Sequence, residues 1–293
     1  MFVIFIYNPQ AGKANITRKL HSIVARYRAA EITLILHHVG TKHPIDNRLK
    51  ELIELTNPKH ILLAGGDGTI NRYINWAIPN GIETPIAIMP TGTANDLALE
   101  LGYSTDLKDN LTQILAGNEK KIDVVQANDR YFVNILSCGM LTDVSQRTPT
   151  VLKNTLGKLA YYIEVLGEIP SFNKMHLTFT AEGEKPFDVD CLLFFVFNGK
   201  TAGNMLIAKN ADIDDGLLEV IIAKGGNIAA TIGNLIHVIT KQKGKYPKDV
   251  IYLKTPSLKV EGNTDIMVDL DGEKGVSIPL EIKCLHKKLT III

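Results

Sequence analysis

The first 120 residues alternate short apolar runs with segments whose apolar residues recur at helical spacing. The apolar runs predict β-strands at 2–7, 32–37, 60–64 and 85–89. The segments between and after them predict helices at about 13–30, 44–56, 68–79, 93–101 and 106–117. Strands that alternate with helices are typical of parallel βαβ units. The pattern therefore predicts a three-layer α/β domain over 1–120, with ligands bound at the carboxyl ends of its strands.

The remainder of the chain is dominated by closely spaced strand patterns separated by turn residues. Strands are predicted at 121–127, 131–136, 175–181, 189–197, 217–223, 250–254, 257–261, 265–270 and 278–284, and helices only at about 151–168 and 227–241. This predicts a mostly antiparallel β domain, a sandwich or flattened barrel, over 121–285. The very apolar end of the segment 286–293 is expected to pair into a sheet, for which the first domain is the candidate.

Two glycine-rich motifs stand directly after strands and before helices. The first is Gly65-Gly66-Asp67-Gly68-Thr69 and the second is Pro90-Thr91-Gly92-Thr93-Ala94-Asn95-Asp96. Glycine lets a backbone approach an anion closely, and a turn between a strand and a helix is a common phosphate cradle. Carboxylates such as Asp67 and Asp96 suit a divalent cation that bridges phosphate oxygens. The pair of motifs therefore predicts a site for a nucleoside triphosphate.

Composition narrows the class of protein. A chain of 293 residues with 45% apolar and 22% charged residues fits one large or two ordinary globular domains. The net charge of +1 gives no field that would favour nucleic acid. Three widely spaced cysteines argue against a disulfide framework or a zinc cluster and suit a reducing, cytoplasmic compartment. We interpret the apolar start of the chain as a buried strand rather than a signal peptide, and expect no transmembrane segment.

Further motifs accompany the two glycine motifs. In chain order the set is Asn8-Pro9 with Gly12-Lys13, the two glycine motifs, Lys121-Ile122-Asp123-Val124, Asp214-Asp215-Gly216-Leu217 and Asp269-Leu270-Asp271-Gly272-Glu273. This ordered set resembles the diacylglycerol kinase catalytic family, which includes bacterial lipid kinases and sphingosine kinases. Leu141-Thr142-Asp143-Val144-Ser145, Leu159-Ala160-Tyr161-Tyr162-Ile163 and Tyr246-Pro247-Lys248 are most similar to the soluble enzymes of Gram-positive bacteria. The resemblance implies two domains with the active site in the cleft between them.

The resemblance also implies ATP and Mg²⁺ as cofactors. The residues expected to contact them are Asn8, Pro9, Gly12, Lys13, Thr41, Gly65, Gly66, Asp67, Gly68, Thr69, Thr93, Asn95, Asp96 and Asp123. Of these, Asp67, Asp96 and Asp123 would form an acidic network around the ATP-bound Mg²⁺. Turn formation, helix capping or, for Asp123, ion pairing with Lys120 and Lys121 are the alternative roles of the three carboxylates.

A second metal site and the catalytic residues come from the same resemblance. Asp212, Asp215 and the carbonyl of Leu217 would bind a structural Mg²⁺, although a tight acidic turn without metal is the alternative. Glu273 would be the general base, with Asp271 beside it, and in an extended segment both side chains would face the same way. A hairpin turn with solvated acids is the alternative there, because Asp-Gly is a common turn dipeptide.

The resemblance implies transfer of the γ-phosphate of ATP to a lipid hydroxyl. The expected reaction converts diacylglycerol to phosphatidic acid. The alternatives are a kinase of another lipid alcohol, such as a sphingoid base or a polyprenol, and a catalytically silent regulator that binds lipid or nucleotide. The expected partner is a lipid substrate at the membrane surface, so the protein would be cytoplasmic and peripherally associated with membrane. The helix predicted at 151–168 carries an apolar stripe, which we interpret as a face that covers the β domain. The alternatives are a wall of the lipid cleft and a dimer face, so a homodimer is a further hypothesis.

Overall fold

The computed structural model describes residues 1–8, 16–40, 44–139, 174–226, 246–262 and 266–293, together with residues 231, 234 and 238. The chain divides into two compact units. The first consists of Met1–Ile122 and Lys287–Ile293, and the second of Asp123–His286. The helix predicted at 151–168 lies outside the described residues, as does most of the one predicted at 227–241.

The first unit is a parallel sheet with helices packed against it. Its elements are β1 (Phe2–Tyr7), α1 (Ile16–Ala29), β2 (Thr33–His38), α2 (Asn47–Thr56), β3 (Ile61–Gly65), α3 (Asp67–Ala77), β4 (Ile86–Pro90), α4 (Asp96–Glu100) and α5 (Leu107–Ala116). The strand order is β2-β1-β3-β4, with every pair parallel. β3 is buried along its whole length, as is expected of a central strand in a parallel sheet covered on both faces.

Local sequence explains where several of these helices begin. The Asp46 carboxylate accepts a hydrogen bond from Arg48 N at 3.0 Å and caps α2. Asp106 caps α5 in the same way, since its Oδ1 accepts from Lys108 N at 2.9 Å and Asp109 N at 3.1 Å. Such carboxylates satisfy N–H groups that have no partner inside the helix.

The second unit is built almost entirely from antiparallel strands. Its elements are β5 (Glu119–Ala127), which starts in the first unit, β6 (Arg130–Phe132), β7 (Ile135–Gly139), β8 (Met175–Ala181), β9 (Phe187–Phe197), β10 (Thr201–Ala202), β11 (Met205–Leu206), β12 (Leu218–Lys224), β13 (Val250–Thr255), β14 (Ser257–Glu261), β15 (Met267–Leu270), β16 (Glu273–Ser277) and β17 (Leu280–Ile292). The eleven residues of β9 pair with β7, β8 and β12.

Apolar side chains on the two faces of β9 pack into two different hydrophobic cores. Phe194 and Val196 belong to one buried cluster, and Phe195 and Phe197 belong to another. Successive side chains of a strand point to opposite faces, so a strand that is apolar on both faces must be covered on both. The predicted fold class, a parallel α/β domain followed by a mostly antiparallel β domain, is confirmed.

The last strand joins both units. Its start pairs with β14 in antiparallel register, Leu280 opposite Val260. Its end pairs in parallel with β4, Ile291 opposite Ile86. Tyr103 O–H donates to the carbonyl of Ile292 and adds a side-chain contact to this pairing. None of the helices among the residues described is long and apolar enough to cross a membrane.

Candidate active site

The two glycine motifs meet at the carboxyl ends of neighbouring parallel strands. β3 and β4 pair in register up to Gly65 and Pro90, where both motifs begin. Thr91 N donates to the carbonyl of Gly65 at 3.0 Å and continues the contact beyond the last pair. The parallel register thus brings together two loops that are about 25 positions apart in sequence, because strand ends of the same polarity share one edge of a sheet.

Glycine is required where the two loops touch. A Cβ atom added to Gly66 would lie 2.8 Å from the Cα of Gly92, and one added to Gly92 would lie 2.5 Å from the Cα of Gly66. Backbone atoms cannot swing away as the end of a side chain can. A Cβ on Gly65 would meet the side chain of Thr69 at 2.3 Å. The motif residues therefore pack backbone against backbone, and no other residue type fits at Gly66 and Gly92 without a shift.

Asn95 fixes the shape of the second loop. Its Oδ1 accepts from Gly92 N at 2.8 Å and its Nδ2 donates to the carbonyl of Gly92 at 2.9 Å. Asn95 itself has a φ of 53°, in the left-handed region that asparagine tolerates better than most residues. The amide thus clamps the loop immediately before α4. Thr93 lies between these residues and is exposed.

Asp67 and Asp96 are the first residues of α3 and α4. Asp67 Oδ1 accepts from Leu97 N at 3.4 Å, so its carboxylate links the two helix starts. Burial raises the pKa of Asp67, and the backbone N–H groups of Leu97, Asp67, Asp96 and Asn95 offset only part of this rise. Asp96 is buried as well, at 8% exposure. Two acidic residues therefore lie at one junction, where a cation would stabilise their charged forms.

Some of the other residues predicted to contact the nucleotide lie near this junction, and some lie outside the described residues. Asn8 follows β1 at the same edge of the sheet, and its Oδ1 would lie 3.8 Å from a Cβ on Gly40, just after β2. Gly68 and Thr69 belong to the first turn of α3. Pro9, Gly12, Lys13 and Thr41 lie outside the described residues, as do the motifs 141–145 and 159–163.

We expect Gly92→Ala to weaken any ligand binding that depends on this junction, because the new methyl group would push the two loops apart. Overpacking of a tight contact costs about 1–3 kcal/mol of folding free energy. Gly226→Ala is the matched control, since within the described part of the chain a Cβ there would meet Thr231 Oγ1 at 3.8 Å and no closer atom. Nucleotide titration and thermal unfolding of both variants measure the effect. Equal behaviour of the two variants would contradict the close contact.

Asp123 is held by residues of the second unit. Its side chain is fully buried, Oδ2 accepts from Gly216 N at 2.6 Å, and Oδ1 lies 3.0 Å from His286 Nδ1. Asp123 N donates to the carbonyl of Ile213 at 2.7 Å. Burial and the nearby Asp123 raise the pKa of the Cys284 thiol to about 12. These contacts make Asp123 an anchor for the loop 213–216, and its predicted place in a cation network stays a prediction.

Asp271 lies in a hairpin turn between β15 and β16, with a φ of 53°. The expectation that Asp271 and Glu273 share an extended segment is therefore wrong, because Asp271-Gly272 forms the turn. The Asp271 carboxylate accepts from the backbone N–H groups of Val133 at 2.9 Å, Asn134 at 2.9 Å and Ile135 at 3.0 Å. It ties the turn to the start of β7 and leaves Glu273 as the freer of the two acids.

Glu273 is the first residue of β16 and is half-buried. Its backbone lies opposite Leu270 across the hairpin. Among the described residues its carboxylate has no hydrogen-bond partner. A partly buried carboxylate in that state is able to accept a proton from a bound hydroxyl.

The loop predicted to bind a structural metal is stabilised by protein groups. Asp212 is exposed, Asp215 Oδ1 accepts from Leu217 N at 2.9 Å, and Asp215 Oδ2 lies 2.8 Å from Lys254 Nζ. Over the part of the chain that the structure describes, no group of three His, Cys, Asp or Glu side chains is arranged to hold a metal ion. Lys254, which contacts Asp215, and His286, which contacts Asp123, were not predicted from sequence, because they reach these acids only through strand pairing.

Comparison with known proteins covers nearly the whole chain. Residues 2–127 match the profile of the diacylglycerol kinase catalytic domain, and residues 134–293 match the YegS C-terminal NAD kinase beta sandwich-like domain. A diacylglycerol kinase of Staphylococcus aureus (strain bovine RF122 / ET3-1) is 30% identical over 289 residues, which are 98% of this chain and 90% of the relative. The diacylglycerol kinase of strain Newman gives the same identity and coverage.

Solved structures agree with the sequence matches. A crystal structure of a diacylglycerol kinase from Bacillus anthracis str. Sterne matches with a TM-score of 0.78 and 26% identity, over 99% of this chain and 96% of that one. Another crystal structure from the same organism gives a TM-score of 0.81 at the same identity and coverage. With a relative at 30% identity and profile matches over both halves of the sequence, the chain belongs to the diacylglycerol kinase family.

Proposed function

We propose that this protein transfers the γ-phosphate of ATP to the hydroxyl of diacylglycerol and forms phosphatidic acid. The observation that carries the proposal is the junction of the two glycine loops, with Asp67 and Asp96 at the helix starts beside it. Glycines without Cβ atoms allow phosphate oxygens close to the backbone. The family name of the relatives supports the reaction class, and the geometry of the junction supports a phosphate site there.

The charge of the junction supports Mg²⁺ as the partner of ATP. Burial raises the pKa of Asp67, so the folded protein binds this proton more tightly than the unfolded chain does. Stability therefore declines as pH rises from the pKa of the unfolded chain through the higher pKa of the folded protein. Mg²⁺ commonly binds through one or two carboxylates together with substrate phosphates. When bound, it would neutralise phosphate charge, and Asp67 and Asp96 fit as its protein contacts.

Glu273 would act as the proton acceptor. The attacking lipid hydroxyl must lose its proton as the bond to phosphorus forms, and phosphoryl transfer depends mainly on positioning and charge. Among the described residues the half-buried Glu273 carboxylate has no hydrogen-bond partner, whereas Asp271 accepts from three backbone N–H groups. We therefore assign Glu273 to proton transfer and Asp271 to holding the turn that positions it.

A kinase of another lipid alcohol would use the same phosphate chemistry, so the test has to identify the acceptor. We expect the purified protein, given γ-labelled ATP and vesicles that contain diacylglycerol, a sphingoid base and a polyprenol, to label phosphatidic acid. Labelling of a different lipid would show that the acceptor is not diacylglycerol and would leave the proposed kinase activity intact. Absence of any labelled lipid, with nucleotide still bound, would favour the silent regulator. Recovery of the protein with sedimented vesicles tests its proposed peripheral association with membrane.

We expect Asp67→Asn to lower the rate of transfer by about 10²-fold, the usual effect of losing one preorganised charge contact. Part of the loss should return as Mg²⁺ rises, since the carboxylate is proposed to contact the cation. Asp106→Asn is the matched control, because asparagine replaces aspartate well at a helix N-cap. Initial rates over a series of Mg²⁺ concentrations measure both. A loss in Asp67→Asn that does not depend on Mg²⁺ would point to a structural role in linking the helix starts.

A further inference from the structure

Glu219 and Lys254 stand directly opposite each other on the antiparallel strands β12 and β13. Opposite charges in such a cross-strand pair attract each other. Asp215 lies in the loop that leads into β12, within reach of the same lysine. The register of two strands therefore brings an ammonium group to the acidic loop 212–217, although Lys254 is far from it in sequence.

The ammonium group bridges two carboxylates. Lys254 Nζ lies 2.8 Å from Asp215 Oδ2 and 3.1 Å from Glu219 Oε1. The remaining oxygens also have donors, since Leu217 N donates to Asp215 Oδ1 at 2.9 Å and Tyr252 O–H donates to Glu219 Oε2. Both oxygens of Asp215 and Glu219 Oε2 are thus contacted by protein donors, and Glu219 Oε1 faces the Lys254 ammonium as an ion pair.

The burial of Glu219 makes the Lys254 ammonium hard to replace by water. Glu219 is only 2% exposed, and burial raises its pKa although the ion pair with Lys254 lowers it. Partial burial by itself lowers the pKa of Lys254. The contacts with Asp215 and Glu219 raise that pKa by more than burial lowers it, so the net shift is upward. A buried carboxylate needs a compensating charge. Here that charge comes from the chain itself.

A divalent cation at this loop would compete with the lysine. The metal ligands expected from sequence are Asp212, Asp215 and the Leu217 carbonyl, and Asp215 is the one that the ammonium group contacts. A metal ion on Asp215 would stand within a few ångströms of Lys254 Nζ, where like charges repel strongly. Asp212 is exposed and loses little by keeping its water.

We propose that the Lys254 ammonium is the resident cation of the loop 212–217, and that this loop binds no divalent metal ion in this chain. The lysine then does what a structural metal would do: it links the loop to β12 and β13. Removing it should leave Asp215 and Glu219 as a pair of uncompensated carboxylates, which is a latent site for Mg²⁺ or Ca²⁺.

Thermal unfolding without nucleotide tests this. The wild type should melt at the same temperature in chelator and in millimolar Mg²⁺ or Ca²⁺. Lys254→Met should melt lower in chelator and recover part of the loss with either ion, because a ligand that binds only the folded state stabilises it by mass action. Lys259→Met is the matched control: it removes the exposed Lys259–Glu261 pair on β14 and should show no response to metal.

The wild type alone decides the question if Lys254→Met does not fold. A rise in its melting temperature with Mg²⁺ that Asp215→Asn abolishes would overturn the proposal. A rise that persists in Asp215→Asn arises elsewhere and leaves the loop free of metal, as proposed. Neither readout uses ATP or lipid, so the result is independent of the proposed kinase activity.

Discussion

Glu273→Gln is expected to lose about 10²- to 10⁴-fold in kcat, the usual contribution of a general base. The substitution keeps the size and shape of the side chain and removes only its ability to accept a proton. Because the carboxylate has no hydrogen-bond partner among the described residues, its loss should leave the melting temperature nearly unchanged. Nucleotide affinity should also be retained, since the residue is proposed to contact the hydroxyl and not the phosphates.

Steady-state transfer to lipid, nucleotide titration and thermal unfolding separate these effects. Glu261→Gln is the control, because Glu261 is an exposed carboxylate of the same unit and pairs with Lys259 at 2.9 Å. It should transfer phosphate at the native rate. A Glu273→Gln variant with near-native kcat would move the base to another residue and remove the main support for its role.

Asp271→Ala is expected to lower the free energy of unfolding by about 3 kcal/mol or more, because three backbone N–H groups lose a charged acceptor. Val133, Asn134 and Ile135 donate to this one carboxylate. Asp271→Asn should fall between alanine and the wild type, since its amide keeps one oxygen. Denaturant unfolding of the three proteins gives the order directly.

These measurements distinguish the role of Asp271 from the role of Glu273. Asp271 variants should lose stability first and activity as a consequence, whereas Glu273→Gln should lose activity alone. An Asp271→Asn protein of native stability that no longer transfers phosphate would reverse the assignment and make Asp271 a residue that contacts substrate.

Local sequence was sufficient to predict most of the secondary structure of the first unit. Apolar runs and helical spacing predicted its strands and helices closely, and the glycine motifs indicated which strand ends would meet. These features depend on neighbouring residues and on the rule that parallel strands end at one edge. What the sequence did not contain is the distance between Gly66 and Gly92, which follows from the packing of two backbones.

The second unit was predicted less completely, for a physical reason. Most of its strands were located from alternation, but β10, β11 and β16 were missed. The pair β6 and β7 was taken to be one strand, and β17 was taken to be two shorter segments. The roles of its charged residues depend on strand register, which brings Lys254 to Glu219 and His286 to Asp123. Register is a long-range property, so acids that look free in sequence are found with partners in the fold.

The pairing of β17 with β4 has a consequence for synthesis of the protein. Ribosomes add residues from the N-terminus, so the 122 residues that open the first unit emerge well before the strand that completes their sheet. Until residues 287–292 emerge, one side of β4 lacks its neighbour, and at about 5–20 residues per second that wait lasts many seconds. The nascent first unit thus presents an unpaired apolar strand edge, and such an edge is a template for pairing with another chain until β17 arrives.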